Sequence, residues 1–166
     1  MNYVNFKDVN LDLMQFGKIH KRHNFKYSLI DCNNKPLRFS VLATHYKNCY
    51  YNDKKNMYVL KFSFNDPLFH VFLHKIIELA KNFVVQHKTK IFDQSFSNET
   101  IGDLFFSNLE QTHNNNKIIS FKTKTINIFE NKNLNKTNIH LLIEISGIWI
   151  YENLYGLNFE LVEILN

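Results

Sequence analysis

Ile139-His-Leu-Leu-Ile-Glu-Ile-Ser-Gly-Ile-Trp-Ile-Tyr151, then Glu152-Asn-Leu-Tyr-Gly156 and Leu157-Asn-Phe-Glu-Leu-Val-Glu-Ile164, is the stretch that decides the fold. Its two apolar runs predict strands over Ile139–Tyr151 and Leu157–Ile164, joined by a turn over Glu152–Gly156. Around the only tryptophan, alternation puts Ile148 and Ile150 on one face and Trp149 and Tyr151 on the other. If the isoleucines point inward, the two rings face outward as stacking platforms. The competing possibility is that Trp149 plugs the end of a barrel. Glu144 and Gly147 interrupt Ile139–Ile150, which is too short to span a bilayer.

Upstream, Phe25–Asp31 alternates as a half-buried strand does, and Cys32-Asn-Asn-Lys-Pro36 is a turn. Leu37–Tyr46 alternates again, completing a β-hairpin. Lys47–Asn56 is predicted as a polar, aromatic, basic loop, and Met57–Phe64 as a third strand. Asp66-Pro67 supplies an N-cap and a proline at the first helical position. The helix it opens runs to about His87, with Phe69, Phe72, Leu73, Ile76, Ile77, Ala80, Phe83 and Val84 at helical spacing. A shorter helix is expected over Ser97–Leu109, a loop over Thr112–Lys117, and a strand over Ile118–Phe129. An Asn/Lys connection follows over Glu130–Asn138. The stretch before Gly17 fits a short helix or strand. No repeat or Pro/Gly/Ser linker divides residues 1–166, so one domain is expected, of the size that builds one core. The expected class is mainly β with one long helix (α+β). A small β-barrel carrying a helix of about 20 residues and a second short helix fits this order, and oligonucleotide-binding barrels belong to that class.

Charge is segregated. Between Gly17 and Lys61 the chain has ten Lys/Arg against Asp31 and Asp53, a local excess of +8 in a protein of net +5. From Thr137 onward there are four Glu (Glu144, Glu152, Glu160, Glu163) and no Lys or Arg. Phe25, Tyr27, Phe39, Tyr46, Tyr50, Tyr51 and Tyr58 lace the basic stretch. Cations mixed with flat rings suit a phosphate backbone with exposed bases. A second origin of the lysines is codon bias. Ala, Gly, Pro and Arg are scarce while Asn, Lys, Ile, Phe and Tyr abound, as in a very AT-rich genetic element. Bias does not explain why Lys stops at Lys136 while Asn and Ile persist.

Other chemistries find little support. Cys32 and Cys49 have no CxxC spacing, so Cys32, His45 and Cys49 make an incomplete zinc set. His70, His74 and Glu78 recur every four residues on the long helix, a spacing that metal ligands share with an ordinary solvated face. There is no glycine-rich phosphate loop, no Gly-x-Ser-x-Gly elbow and no Asp-x-Asp cluster. Glu160 and Glu163 are expected on opposite faces of their strand. No catalytic role, cofactor or metal is expected. The N-terminus lacks a long apolar run and a small-residue cleavage site, so a cytoplasmic location without a membrane partner is expected.

The Gly147-Ile-Trp149 strand end, the Tyr155-Gly156 turn and the final alternating strand resemble the C-terminal part of a known family: the oligonucleotide/oligosaccharide-binding-fold single-stranded DNA-binding proteins of large DNA viruses and phages. Phe96-Ser-Asn-Glu-Thr-Ile-Gly-Asp-Leu-Phe-Phe106 and Phe121-Lys-Thr-Lys-Thr125 resemble that family's middle region. The equivalent protein of yeast cytoplasmic linear killer plasmids is a second candidate relative. The resemblance implies a non-catalytic protein that protects unwound DNA during replication, with low sequence specificity. Its partners would be single-stranded DNA, with RNA the runner-up, replication proteins of the same element, and further copies of itself. Such proteins often end in an acidic tail, and none is expected after Ile164. The residues expected on the nucleic acid are Arg38, Tyr46, Tyr50, Tyr51, Lys54, Lys55, Lys61, Lys122, Lys124, Trp149, Tyr151 and Tyr155. The alternative is an accessory or structural protein whose partner is another protein and whose basic surface reflects codon usage.

Overall fold

A computed structural model describes residues 3–54, 56–111, 116–123 and 137–165. Two 3-10 turns open the chain, Phe6–Asp8 and Leu11–Leu13. Asn5 and Asn10 start them by accepting from the backbone N–H two residues on. Strands β1 (Met14–Phe16), β2 (His20–Arg22) and β3 (Phe25–Cys32) follow. Asn33 and Asn34 both take positive φ, 56° and 58°, which makes a two-residue hairpin turn into β4 (Lys35–Ala43). Only Thr44 separates β4 from β5 (His45–Asn52), and β6 is Met57–Phe64.

Residues 47–52 therefore correct the loop expected over Lys47–Asn56. They pair antiparallel with β6, with a register shift between Tyr46 and Asn48. Asn and Lys disfavour a strand, but the adjacent tyrosines favour one, and the backbone ladder to β6 decides the outcome.

Helix α1 spans Pro67–Gln86. The Asp66 carboxylate accepts from Leu68 N–H at 2.9 Å, and Pro67 stands in the first turn, as the sequence predicts. α2 is Lys88–Ile91 and α3 is Asn98–Asp103. Ser97 caps α3, which ends sooner than expected because Leu109 belongs to strand β7 (Leu109–Gln111). β8 is Lys117–Thr123, and the expected extension to Phe129 lies outside the described residues. So do residues 112–115 and 130–136 of the two connections. β9 (Ile139–Tyr151) and β10 (Leu154–Ile164) close the chain. Their turn is shorter than expected, just Glu152 and Asn153, with Glu152 at φ 52°.

The strands form one sheet in the order β1-β3-β4-β9-β10-β8-β6-β5, with β2 added on β3 and β7 on β8. β9 is its hub. One edge pairs first with β4 (Ala43↔Ile139 to Leu37↔Ile145) and then with β3 (Leu29↔Gly147 to Phe25↔Tyr151). The other edge pairs with β10. β8 and β10 run parallel, meeting at Lys122 and Glu160. At Gly147, where both arms of the hairpin reach β9, an added Cβ would stand 2.4 Å from Ser28 O. Glycine is what admits β3 there.

Two bulges set the facing of the C-terminal hairpin. Between Asn158 and Phe159 the register skips Ser146 on β9, and between Leu161 and Glu163 it skips Val162 on β10. The second bulge brings Glu160 and Glu163 to the same outer side, opposite Glu144 and Leu142, which corrects the expectation of opposite faces. Inward residues of β4, β6, β8, β9 and β10 pack with α1 into one ring-rich core. Phe39 meets Phe72 edge-on at 4.9 Å and 82°, and Phe64 meets Phe69 at 5.0 Å. Phe39 is a core ring, unavailable to any ligand. Among the described residues no helix is long and apolar enough to cross a membrane.

Gly147→Ala is expected to cost about 1–3 kcal/mol of stability through the clash with Ser28 O. Urea unfolding measures it, and an unchanged midpoint would show that β3 does not need the glycine.

Candidate nucleic-acid interface

The core covers one side of the sheet; the other side carries rings. On β3, alternation sends Phe25, Tyr27 and Leu29 outward, opposite Tyr151, Trp149 and Gly147 of β9. Ile148 and Ile150 are buried, as the sequence predicts, while Tyr151 is exposed and Trp149 half-buried. His20 of β2 stacks on Tyr27 at 5.1 Å and 21°, and Phe25 lies beside Tyr27 at 5.9 Å and 25°. Trp149 meets Phe106 at 5.9 Å.

These rings wall a groove of about 670 Å³ that runs from Phe25 and Tyr151 past Trp149 to Met57 and Lys122. A second recess of about 300 Å³ shares Met57 and Lys122 and continues to Tyr50, Lys61 and Phe106. Together they form a trough across β3, β9, β10, β8 and β6.

Trp149 is held in place from below. It pairs in register with Gly156, where an added Cβ would lie 2.8 Å from the indole and 2.8 Å from Phe106 O. Phe106 N–H in turn donates to Tyr155 O at 2.7 Å. The glycine leaves the space in which the indole lies across β10.

Of the expected contact residues, the trough gathers Tyr50, Lys61, Lys122, Trp149 and Tyr151. Lys61 Nζ donates to Glu110 Oε1 at 2.7 Å, a bond that holds its pKa above the ordinary lysine value. Arg38 lies outside the trough. Its Nε and Nη2 both donate to Glu144 Oε2, at 2.9 and 2.5 Å. Tyr46 packs on Phe62. Tyr51 packs on Tyr58, and its hydroxyl bonds Asn56 Oδ1, while Lys54 is exposed just beyond β5. Lys55 and Lys124 lie outside the described residues.

Tyr155 is corrected from contact residue to core residue. It pairs with Ile150, on the inward phase of the hairpin, and is 0 % exposed. Its ring meets Phe105 at 5.5 Å, and its hydroxyl finds no hydrogen-bond partner among the described residues. Burial, then the negative charge of Glu78, pushes its pKa up to about 12.

Phe25, Tyr27, Met57 and Phe106 were not among the expected contacts. Phe25 and Tyr27 carried a readable signal, since they alternate with Leu29 on a strand at the start of the basic stretch. Phe106 carried none, because a bridge between Phe105 and Tyr155 places it.

The acidic C-terminal residues are largely engaged within the chain. Besides the Arg38–Glu144 pair, Glu160 Oε1 accepts from Ser146 Oγ and Asn158 Nδ2, and Glu163 accepts from Tyr3 Oη. Among the described residues no group of three or more His, Cys, Asp or Glu is placed to hold a metal ion. His70 Nε2 lies 2.9 Å from Phe64 O.

Gly156→Ala is expected to push the indole off β10 and shift tryptophan emission to the red; unchanged emission would refute the seat described. Tyr155→Phe should leave stability unchanged or raise it by about 1 kcal/mol, since an unsatisfied hydroxyl is removed. In the unmutated protein Tyr155's contribution is whole below pH 10.0 and is lost as pH rises toward about 12, because the unfolded chain releases its phenolic proton first. Alkaline unfolding of both proteins checks this, and identical pH profiles would contradict it.

Compared with protein-family models, with curated proteins and with solved structures, the chain finds no match.

Proposed function

We propose that the protein binds single-stranded DNA in the ring trough and protects it during replication of an AT-rich genome, without catalysis and with little sequence preference. The observation that carries this is the convergence of Phe25, Tyr27, Trp149 and Tyr151 on one solvent-facing groove. Flat rings accept any base, each stack contributing about 1–3 kcal/mol. Lys122, Lys61 and Arg22, which pairs with Phe25 from β2, stand around them for phosphates.

The strand path supports an oligonucleotide-binding barrel. The run β4-β9-β10-β8-β6-β5 begins and ends on strands separated by Thr44 alone. Thr44 N–H donates to Ser63 O of β6 at 2.7 Å, and its carbonyl accepts from Asn138 N–H, beside β9, at 3.1 Å. We read β4 and β5 as one bent first strand of a five-stranded barrel closed at this corner. The trough then starts on the added strand β3 and the fourth strand, β9, beside the turn after the fourth. It crosses β10 to Lys122 and Met57 of the third and second strands, β8 and β6, near the turn after the first. Such barrels take oligonucleotides on the face of the second and third strands and at these two turns, so the rings extend that surface onto β9 and β3.

A second reading, a protein partner on the same face, is favoured by exposed Leu29 (58 %) and Leu154 (45 %) and by the carboxylates already paired with Arg38 and Lys61.

A thymidine oligomer separates the two. Binding should quench Trp149, prefer single strand to duplex, and weaken with salt by a log–log slope of about −0.7 per phosphate contacted. Tyr27→Ala and Trp149→Ala should each weaken it about tenfold. No binding at low salt by the folded protein would leave the protein-partner reading.

A further inference from the structure

Across β2 from the trough lies a separate cleft of about 1020 Å³, between β1, β2 and the C-terminal end of α1. Lys18, Lys21, Lys26 and Lys90 line it, against one carboxylate, Asp93. Its floor is a pile of rings: Phe16 on Phe83 at 4.6 Å and 18°, and Phe83 on His87 at 4.4 Å. Lys26 is committed internally, with Nζ donating to Ile91 O at 2.5 Å and lying 3.6 Å from Asp93. Lys18, Lys21 and Lys90 are exposed, and among the described residues no carboxylate pairs with them.

β2 joins the cleft to the trough. Its alternation sends His20 and Arg22 to the ring side, opposite Tyr27 and Phe25, and Lys21 to the cleft side, opposite Lys26. A small recess of about 260 Å³ carries the path round the strand ends. It shares Lys21, Lys26 and Asp93 with the cleft and passes His23, Asn24, Glu152 and Asn153.

We propose that the cleft takes the phosphodiester backbone of the same strand after it leaves the trough round the β2–β3 turn, so that one DNA strand engages both sides of β2. This rests on the reading of the trough as the DNA site. A concave surface with four lysines against one carboxylate concentrates polyanions, and among the described residues Lys18, Lys21 and Lys90 have no carboxylate to release first. The ring floor offers a face to a base as well.

The test uses the full chain, thymidine oligomers of about 8 and about 30 nucleotides, and a Lys18→Glu, Lys21→Glu, Lys90→Glu variant. The corresponding triple Gln variant removes charge without reversing it. The short oligomer should bind both variants within about twofold of the unmutated protein. The long one should lose at least about tenfold with Glu, less with Gln, and its salt slope should fall by about 2. Equal losses for both lengths, or no loss for either, overturn the proposal. So does loss of binding to a polyglutamate peptide with DNA binding intact, which would assign the cleft to an acidic protein partner. Quenching of Trp149 by the short oligomer keeps the two readings apart. Quenching without the length effect overturns the cleft alone, and its absence overturns the trough reading as well.

Discussion

The close approach of β3 to β9 at Gly147 governs the rest of the structure. One edge of β9 accepts two strands in succession, and the junction leaves no room for a side chain. The bulge at Ser146, beside that junction, changes the phase of the strand. Before it, Ile139, Leu141, Ile143 and Ile145 are buried; after it, Ile148 and Ile150 are. Were the same residues to run on in unbroken alternation, Trp149 and Tyr151 would fall on the core parity, since a slip of one residue exchanges the faces of a strand. The exposed rings are thus a consequence of a bulge, and the bulge sits where the sheet is most crowded.

The outer side of the sheet is divided along β9. Its Tyr151 end carries rings, and its Glu144 end carries carboxylates held by Arg38, Ser146, Asn158 and Tyr3. Of these contacts only Arg38–Glu144 is an ion pair, which adds at most about 1 kcal/mol to stability and cancels its own two charges, while Glu160 and Glu163, held by neutral donors, keep theirs. The uncancelled positive charge lies at the other end, on β2 and at the α1–α2 junction. The ring-bearing surface and the lysine-lined cleft therefore adjoin at β2 instead of coinciding. A ligand that uses both must be longer than the trough.

Elements fixed by local chemistry could be read directly from the chain. Asp66-Pro67 marks the start of α1, and apolar runs mark β6 and β9 to the residue. Elements fixed by pairing could not. β5 reads as a loop because its Asn and Lys side chains carry no apolar alternation, and only the β6 ladder makes it a strand. Tyr155 reads as a turn residue because a five-residue connection and the observed two-residue turn differ only in register. That difference moves its ring from the surface to the core. Lys61 and Arg38 read as free cations because their partners, Glu110 and Glu144, are distant in sequence. The outward facing of Trp149 was legible since Ile148 and Ile150 bracket it, whereas Phe106 reaches it through a contact that no sequence pattern encodes.

The most direct measurement of the central claim is photocrosslinking of the folded protein to a thymidine oligomer carrying 5-iododeoxyuridine, with peptide mapping of the adducts. With an oligomer of about 8 nucleotides, too short to leave the trough, adducts confined to Phe25, Tyr27, Tyr50, Phe106, Trp149 and Tyr151 are the predicted result. Adducts on the exposed face of α1, or evenly spread over the surface, would contradict it.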